Sequence, residues 1–319
     1  MIKVGIIGCG NLRAAELVRI LINHPDVELK WVCDGDCRGM RLDQVVPGIV
    51  GESDLVVSAR GECADEVSVI FMCDRRSVVT AQLQGLVLSD DLHVIDLSGS
   101  HNLDNGPDKP WAYGMSEMQR RMLVHDTRQV TVPGSAAAVA LLALMPLARN
   151  LMLNNPLRLH VALGTSALLP SGETMDDMPL EVWARDQQQE IMLALRQCQS
   201  SFDQPLSLTV TPLAERRTLA VAVRMKCGVD EEAIRQLYEE YYDDHHFVFM
   251  VDRPIVTADV ENTNKCLIRL EKDDRSAELT IHAVTDVLLK GAAGNAVHAM
   301  NLLFGLHERA GLTLKGTGC

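Results

Sequence analysis

The chain has 319 residues, room for about two domains, with 47% apolar and 23% charged residues. No run approaches the roughly 20 apolar residues of a membrane span, and no basic stretch leads into a hydrophobic signal core, so a cytoplasmic protein with no membrane partner is expected. A net charge of −13 argues against a nucleic-acid partner, because phosphate contacts need clustered Lys and Arg.

Residues 2–8, Ile-Lys-Val-Gly-Ile-Ile-Gly, read as a short buried parallel strand. A Gly-rich turn follows, then a helix over Ala14–Asn23 with Leu17, Ile20 and Leu21 at helical spacing. Val27–Cys33, Val67–Cys73 and His93–Leu97 supply further strands, with helical material from Ser77 to Leu88. Strands alternating with helices and opening on a glycine turn predict a doubly wound Rossmann-type dinucleotide-binding domain. Gly8 and Gly10 would let backbone N–H groups approach a pyrophosphate at the helix N-terminus. Arg13, however, occupies the third small-residue position. Asp34 ends the second strand, where a carboxylate either binds ribose hydroxyls or is simply part of a loop; both readings stand.

From Ala136 the pattern changes. Ala136–Leu153 is apolar nearly all round, the mark of a buried helix. Leu157–Gly164, Leu206–Thr211, Leu219–Lys226, Cys266–Glu271 and Ala277–Val284 read as strands, and Asp230–Tyr242 as an amphipathic helix. Many strands with few helices predict an antiparallel sheet covered on one face, able to build a dimer interface. Ala292–Leu306 is a last helix that returns to the first domain. The overall expectation is an α/β chain: residues 1–134 with 291–319 form the dinucleotide-binding domain, and 135–290 an α+β substrate or dimerisation domain.

Of the nine Cys, only Cys33 and Cys37 lie close in sequence, without a second Cys/His pair at zinc spacing. Reduced structural thiols and no metal site are expected. Asp243-Asp244-His245-His246 reads as a solvated helix end, Cys73 as a buried thiol, and His282 and His298 as satisfied structural histidines.

Several motifs occur together in a characteristic order. Met1 to Gly8 is followed by Ala15-Glu16-Leu17-Val18-Arg19, and later by Val94-Ile95-Asp96-Leu97-Ser98. Tyr113-Gly114-Met115-Ser116-Glu117-Met118-Gln119-Arg120 comes next, and Leu289 to Ala296 with Met300-Asn301-Leu302 closes the set. Across essentially the whole chain these resemble the N-acetyl- or N-succinyl-γ-glutamyl-phosphate reductases of arginine biosynthesis, which are semialdehyde-dehydrogenase-like enzymes. The resemblance implies reduction of an acyl phosphate to a semialdehyde with NADPH, by way of a cysteine thioester and with a histidine for proton transfer. It also implies a homo-oligomer, a dimer or tetramer. Gly8, Gly10, Asn11, Asp34 and Gly294 become the candidate cofactor residues, and Glu117 and Arg217 the candidate substrate residues.

The chemical positions depart from that pattern. Ser135 stands at the nucleophilic cysteine in Val132-Pro133-Gly134-Ser135, and Gln187 at the histidine. The family's third turn glycine falls on Asn11, its His-Gly loop on Asp74-Arg75-Arg76, and its glycine loop on Gly164 to Leu168. Its Asp-Asn-Leu becomes Asp286-Val287-Leu288. A serine hydroxyl needs an adjacent base, and an amide cannot titrate. The reading is a reductase relative impaired in catalysis, with NADP the cofactor the family implies and NAD or none as alternatives. Two other functions remain open: a non-catalytic binding or regulatory subunit assembled with an active paralogue, and an oxidoreductase with altered chemistry.

Overall fold

The structure, a computed structural model, describes residues 1–59, 67–76, 79, 91–102, 111–125, 127–168 and 178–316. The helix expected over Ser77–Leu88 lies outside these residues except for Val79, as do Cys63 and Cys319. Two compact units are present. One is built chiefly from Met1–Pro133 and Ala292–Thr313, the other chiefly from Gly134–Thr174 and Met178–Gly291. No helix among the described residues is long and apolar enough to cross a membrane.

Unit 1 runs β1 (Ile2–Ile7), α1 (Leu12–Ile22), β2 (Val27–Cys33), the short α2 (Leu42–Val45), β3 (Val69–Met72), β4 (His93–Asp96), β5 (Ala112–Tyr113), α3 (Ser116–His125) and β6 (Gln129–Thr131). Its sheet has the order β2-β1-β3-β4-β6-β5 with every pairing parallel. All four residues of β3 are buried, as expected of a parallel strand covered on both faces. Register sets the site: Ile7 pairs with Cys33 on one side and Met72 on the other. The residues just beyond those three strand ends therefore meet.

Unit 2 runs α4 (Ser135–Arg149), β7 (Leu157–Leu163), α5 (Leu180–Cys198), β8 (Leu206–Pro212), β9 (Thr218–Lys226), α6 (Glu231–Tyr242), β10 (Val248–Met250), β11 (Cys266–Asp273) and β12 (Glu278–Asp286). Every residue of α4 from Ala136 to Ala148 is buried, as the all-round apolar run requires. The helix packs against α5, β9 and β12. The hydroxyls of Tyr238 and Tyr242 donate to the carbonyls of Ala143 and Leu142. The sheet, β10-β11-β12-β9-β7-β8, is mixed rather than antiparallel. Its three central pairings are antiparallel, but β7–β8 and β10–β11 are parallel. The reason for β7–β8 is α5: a crossover helix joins parallel neighbours, and that helix escaped the sequence reading.

After β12 the chain makes a π-helical turn, Leu289–Ala293, before α7 (Gly294–Leu303) completes unit 1 against α1 and α3. His24 Nε2 lies 3.0 Å from Asn301 Oδ1, and Asn301 Nδ2 donates to the carbonyl of Ala310 at 2.9 Å. Gly311 has φ +69, and a Cβ there would meet His24 Cδ2 at 2.3 Å. His298 bridges Ser116 Oγ (3.0 Å) and Glu308 Oε2 (2.7 Å), fully inside the unit.

Candidate functional site

In unit 1 the site is the turn after β1. Gly8 has φ +86, and a Cβ there would strike the Asp74 backbone at 2.6 Å, so glycine is required twice over. Asn11 caps α1: its Oδ1 accepts from Ala14 N at 3.0 Å while its Nδ2 donates to the Cys73 carbonyl at 2.7 Å. Arg13 Nη1 donates to the Leu97 carbonyl at 2.9 Å, so the third position is filled by a side chain reaching the end of β4.

Asp34 occupies the heart of this turn. Its Oδ2 accepts from Cys9 N (2.8 Å) and Gly10 N (3.1 Å), and its Oδ1 from Asp36 N (2.8 Å) and Cys37 N (3.3 Å). Burial pushes the carboxyl pKa up, but these four backbone donors outweigh it and hold the group below the usual carboxylate range. A carboxylate offers about four acceptor positions, so Asp34 is saturated. The Cys9 and Gly10 amides, which a pyrophosphate would need, point at Asp34 instead. Cys73 is fully buried and burial drives its thiol well above the ordinary value, the behaviour of a structural thiol.

In unit 2 the site is the N-terminus of α4. Ser135 is its first residue and is half-buried. The N–H groups opening a helix have no intrahelical partner. Here two are taken by α5: Gly134 N donates to Glu190 Oε1 at 2.9 Å, and Ala137 N to Gln187 Oε1 at 3.0 Å. Gln187 lies so close over Gly134 that a Cβ at that glycine would sit 2.2 Å from Gln187 Nε2. Gly291 closes the other side, where a Cβ would lie 3.3 Å from Ser135 Cβ. The structure thus brings Ser135 and Gln187 to one place and adds Glu190. The buried stripe of α5 carries the signal for both: Gln187 and Glu190 interrupt Trp183, Ile191, Ala194 and Leu195 at helical spacing. Three histidines of this unit are engaged elsewhere, His160 with Thr211 Oγ1, His245 with Asp244 and His282 with Glu271.

The remaining candidates disperse. Arg217 Nε donates to buried Asp286 Oδ2 at 2.7 Å, so its guanidinium is committed to an internal ion pair rather than held out toward a ligand. Glu117 is buried in unit 1 and accepts from Ser116 Oγ at 3.0 Å. Gly294 is the buried first residue of α7. Sequence reasoning missed Asn264, which is 1% exposed with both amide atoms unpartnered among the described residues. Nothing in Thr263-Asn264-Lys265 announces that burial.

Residues 3–125 match the semialdehyde dehydrogenase NAD binding domain, and residues 136–286 the semialdehyde dehydrogenase dimerisation domain. N-acetyl-gamma-glutamyl-phosphate reductase of Parabacteroides distasonis is 35% identical over 99% of each chain, and that of Phocaeicola vulgatus 36% over 99% of each. The chain belongs to the N-acetyl-γ-glutamyl-phosphate reductase family. This family member also shares its fold with an NADP-bound aspartate semialdehyde dehydrogenase from Candida albicans (TM-score 0.73, 13% identity, 95% of this chain and 98% of that one). A probable aspartate-semialdehyde dehydrogenase from Pseudomonas aeruginosa gives TM-score 0.72 at 18% identity, covering 95% of this chain and 98% of that one. The reductase-family frame is therefore complete: an NAD-binding-type domain and a dimerisation domain, each with its sheet and principal helix.

Proposed function

We propose that this protein is a reductase-family subunit that has lost acyl-phosphate chemistry and retains the family's assembly surface. The observation that carries this reading is the state of the α4 N-terminus. An acyl transfer there needs a nucleophile, a base within reach and free donors for the developing oxyanion. Ser135 supplies a protonated hydroxyl, Gln187 is an amide that neither takes nor gives a proton, and the amides of Gly134 and Ala137 are already bonded to Glu190 and Gln187.

The cofactor domain is kept. A nicotinamide dinucleotide would supply hydride and would seat its pyrophosphate on the amides after β1, within residues 3–125 that match the semialdehyde dehydrogenase NAD binding domain. The Cys9 and Gly10 amides bond Asp34, and a nucleotide would exchange those bonds for its own. The loss is therefore one of acyl chemistry at α4, and the dimerisation domain is the surface through which the chain assembles as a homo-oligomer or with an active reductase.

The test is an NADPH-linked assay with N-acetyl- and N-succinyl-γ-glutamyl phosphate, together with the reverse, phosphate-dependent oxidation of the semialdehyde. Neither direction is expected to exceed background, and Ser135→Cys alone should not restore turnover. Turnover in the natural protein that disappears in Ser135→Ala would overturn the proposal.

A further inference from the structure

Sequence spacing directs attention to Cys33 and Cys37, yet the fold pairs a different cysteine with Cys37. Because β1 and β2 end in register, Cys9 on the glycine turn and Cys37 on the loop after β2 converge beside Asp34. The two sulfurs and a carboxylate oxygen all lie within 4.8 Å of one another. We propose that Cys9, Asp34 and Cys37 form a binding site for a soft divalent cation of the zinc class.

The donor set fits that class. Two thiolates and one carboxylate, with water in the fourth position, make a tetrahedral arrangement that favours zinc over magnesium or calcium, which take oxygen ligands. Zn–S bonds of about 2.3 Å place ligand atoms roughly 3.8 Å apart across a tetrahedron, so only a small contraction is needed. The room for it exists. Gly10 lies alongside, where even a Cβ would stand 3.6 Å from Asp34 Oδ2 and 3.7 Å from Cys37 Sγ. The loop carrying Cys37 is bounded by Gly35 and Gly39, the latter at φ +81, and neither has anything within 4 Å of an added Cβ. Cys9 is buried while Cys37 is partly exposed, giving the ion a way in from solvent.

Support around the ligands is also built. Asp34 is oriented by the backbone donors of Cys9, Gly10, Asp36 and Cys37, and coordination through Oδ2 exchanges one of those N–H bonds for the metal. On binding, each thiol releases its proton to solvent and both sulfurs bond the ion as thiolates, with no change of oxidation state.

The site is tested on the full-length protein, kept reduced with a phosphine, by titration with Co(II) and then Zn(II). One equivalent of Co(II) should produce a thiolate-to-metal charge-transfer band with visible d–d bands, and Zn(II) should abolish both. Cys9→Ser and Cys37→Ser should each weaken Zn(II) binding roughly 100-fold or more in competition with a chromophoric chelator. Cys198→Ser, in the other unit, should change nothing. Cys37 is partly exposed, so its variant keeps the test valid if Cys9→Ser misfolds. Absence of a thiolate band, or unchanged affinity in Cys37→Ser, overturns the proposal. The readout is independent of turnover, so the loss of the reductase reaction and the presence of the metal site stand or fall separately.

Discussion

Two helix N-termini, α1 in unit 1 and α4 in unit 2, meet the same need in different ways. Each opens with backbone donors that an anion would ordinarily find, and each has donors filled from within the chain. At α1 Asn11 caps the helix by accepting from Ala14 N, and beside it a single carboxylate, Asp34, gathers four N–H groups, two from the turn before the helix and two from the loop after β2. At α4 two side chains of one helix, Gln187 and Glu190, divide the work. One arrangement is centralised and charged, while the other is shared and half neutral. The family frame thus holds its helix-opening donors in two ways, by one charged acceptor or by two side chains of a neighbouring helix.

That contrast predicts unequal consequences when each internal acceptor is removed. Asp34→Asn keeps the shape but turns an NH₂ toward two backbone donors, and unit 1 should lose about 3 kcal/mol. Hydrogen exchange at residues 8–14 and the thermal midpoint report the loss. A midpoint within a degree or so of the parent would mean that the turn does not depend on the carboxylate.

Gln187→Ala should cost less, about 1–2 kcal/mol, because Glu190 still holds Gly134 N and only Ala137 N is orphaned. Faster exchange confined to the first turn of α4, with α1 unchanged, is the expected pattern. A cost equal to that of Asp34→Asn would erase the distinction between shared and centralised acceptors.

The smallest effect is that of pH. Burial lowers the pKa of His24, against the opposing hydrogen bond to Asn301, and burial likewise lowers that of His93. A histidine with a folded pKa below its unfolded value is held neutral. Its contribution is complete above about pH 6.5 and is lost as pH falls toward the folded value, at no more than about 1.4 kcal/mol per pH unit per histidine. Asp26 N donates to His24 Nδ1, so the neutral ring carries its proton on Nε2, toward Asn301. Protection factors over residues 298–312, corrected for the slower intrinsic exchange in acid, should fall as the solution is acidified below about pH 6.5. Greater stability in mild acid would contradict the assignment.

Much of this frame can be read in the sequence, for physical reasons. The strands of unit 1 are short apolar runs ended by glycine or aspartate, and α4 is apolar on every face, so period and composition suffice. The position of Asp34 at a strand end was equally plain. Its partners were not, because they depend on the register that sets Ile7 beside Cys33. The same register explains why Cys9, rather than Cys33, meets Cys37. Helix α5 went unread because Gln187 and Glu190 break its apolar stripe, and those two polar residues are what bind α4. The parallel edge pairing of β8 follows from that helix and was lost with it. Arg217 reads as a substrate residue because the family resemblance keeps an arginine at that position. Only the fold shows that it faces Asp286.

The return of Ala292–Thr313 to unit 1 sets an order of assembly. On the ribosome, the parallel sheet emerges first but lacks the segment that covers α1 and α3. His24 waits for Asn301, and Ser116 for His298, until the whole of unit 2 has been made. Unit 2 is chiefly continuous in the chain and can close on itself as it is made, whereas unit 1 must keep an apolar flank open throughout. The first unit to be synthesised is thus the last to be finished, and a chain stopped short of Ala292 would carry that flank uncovered.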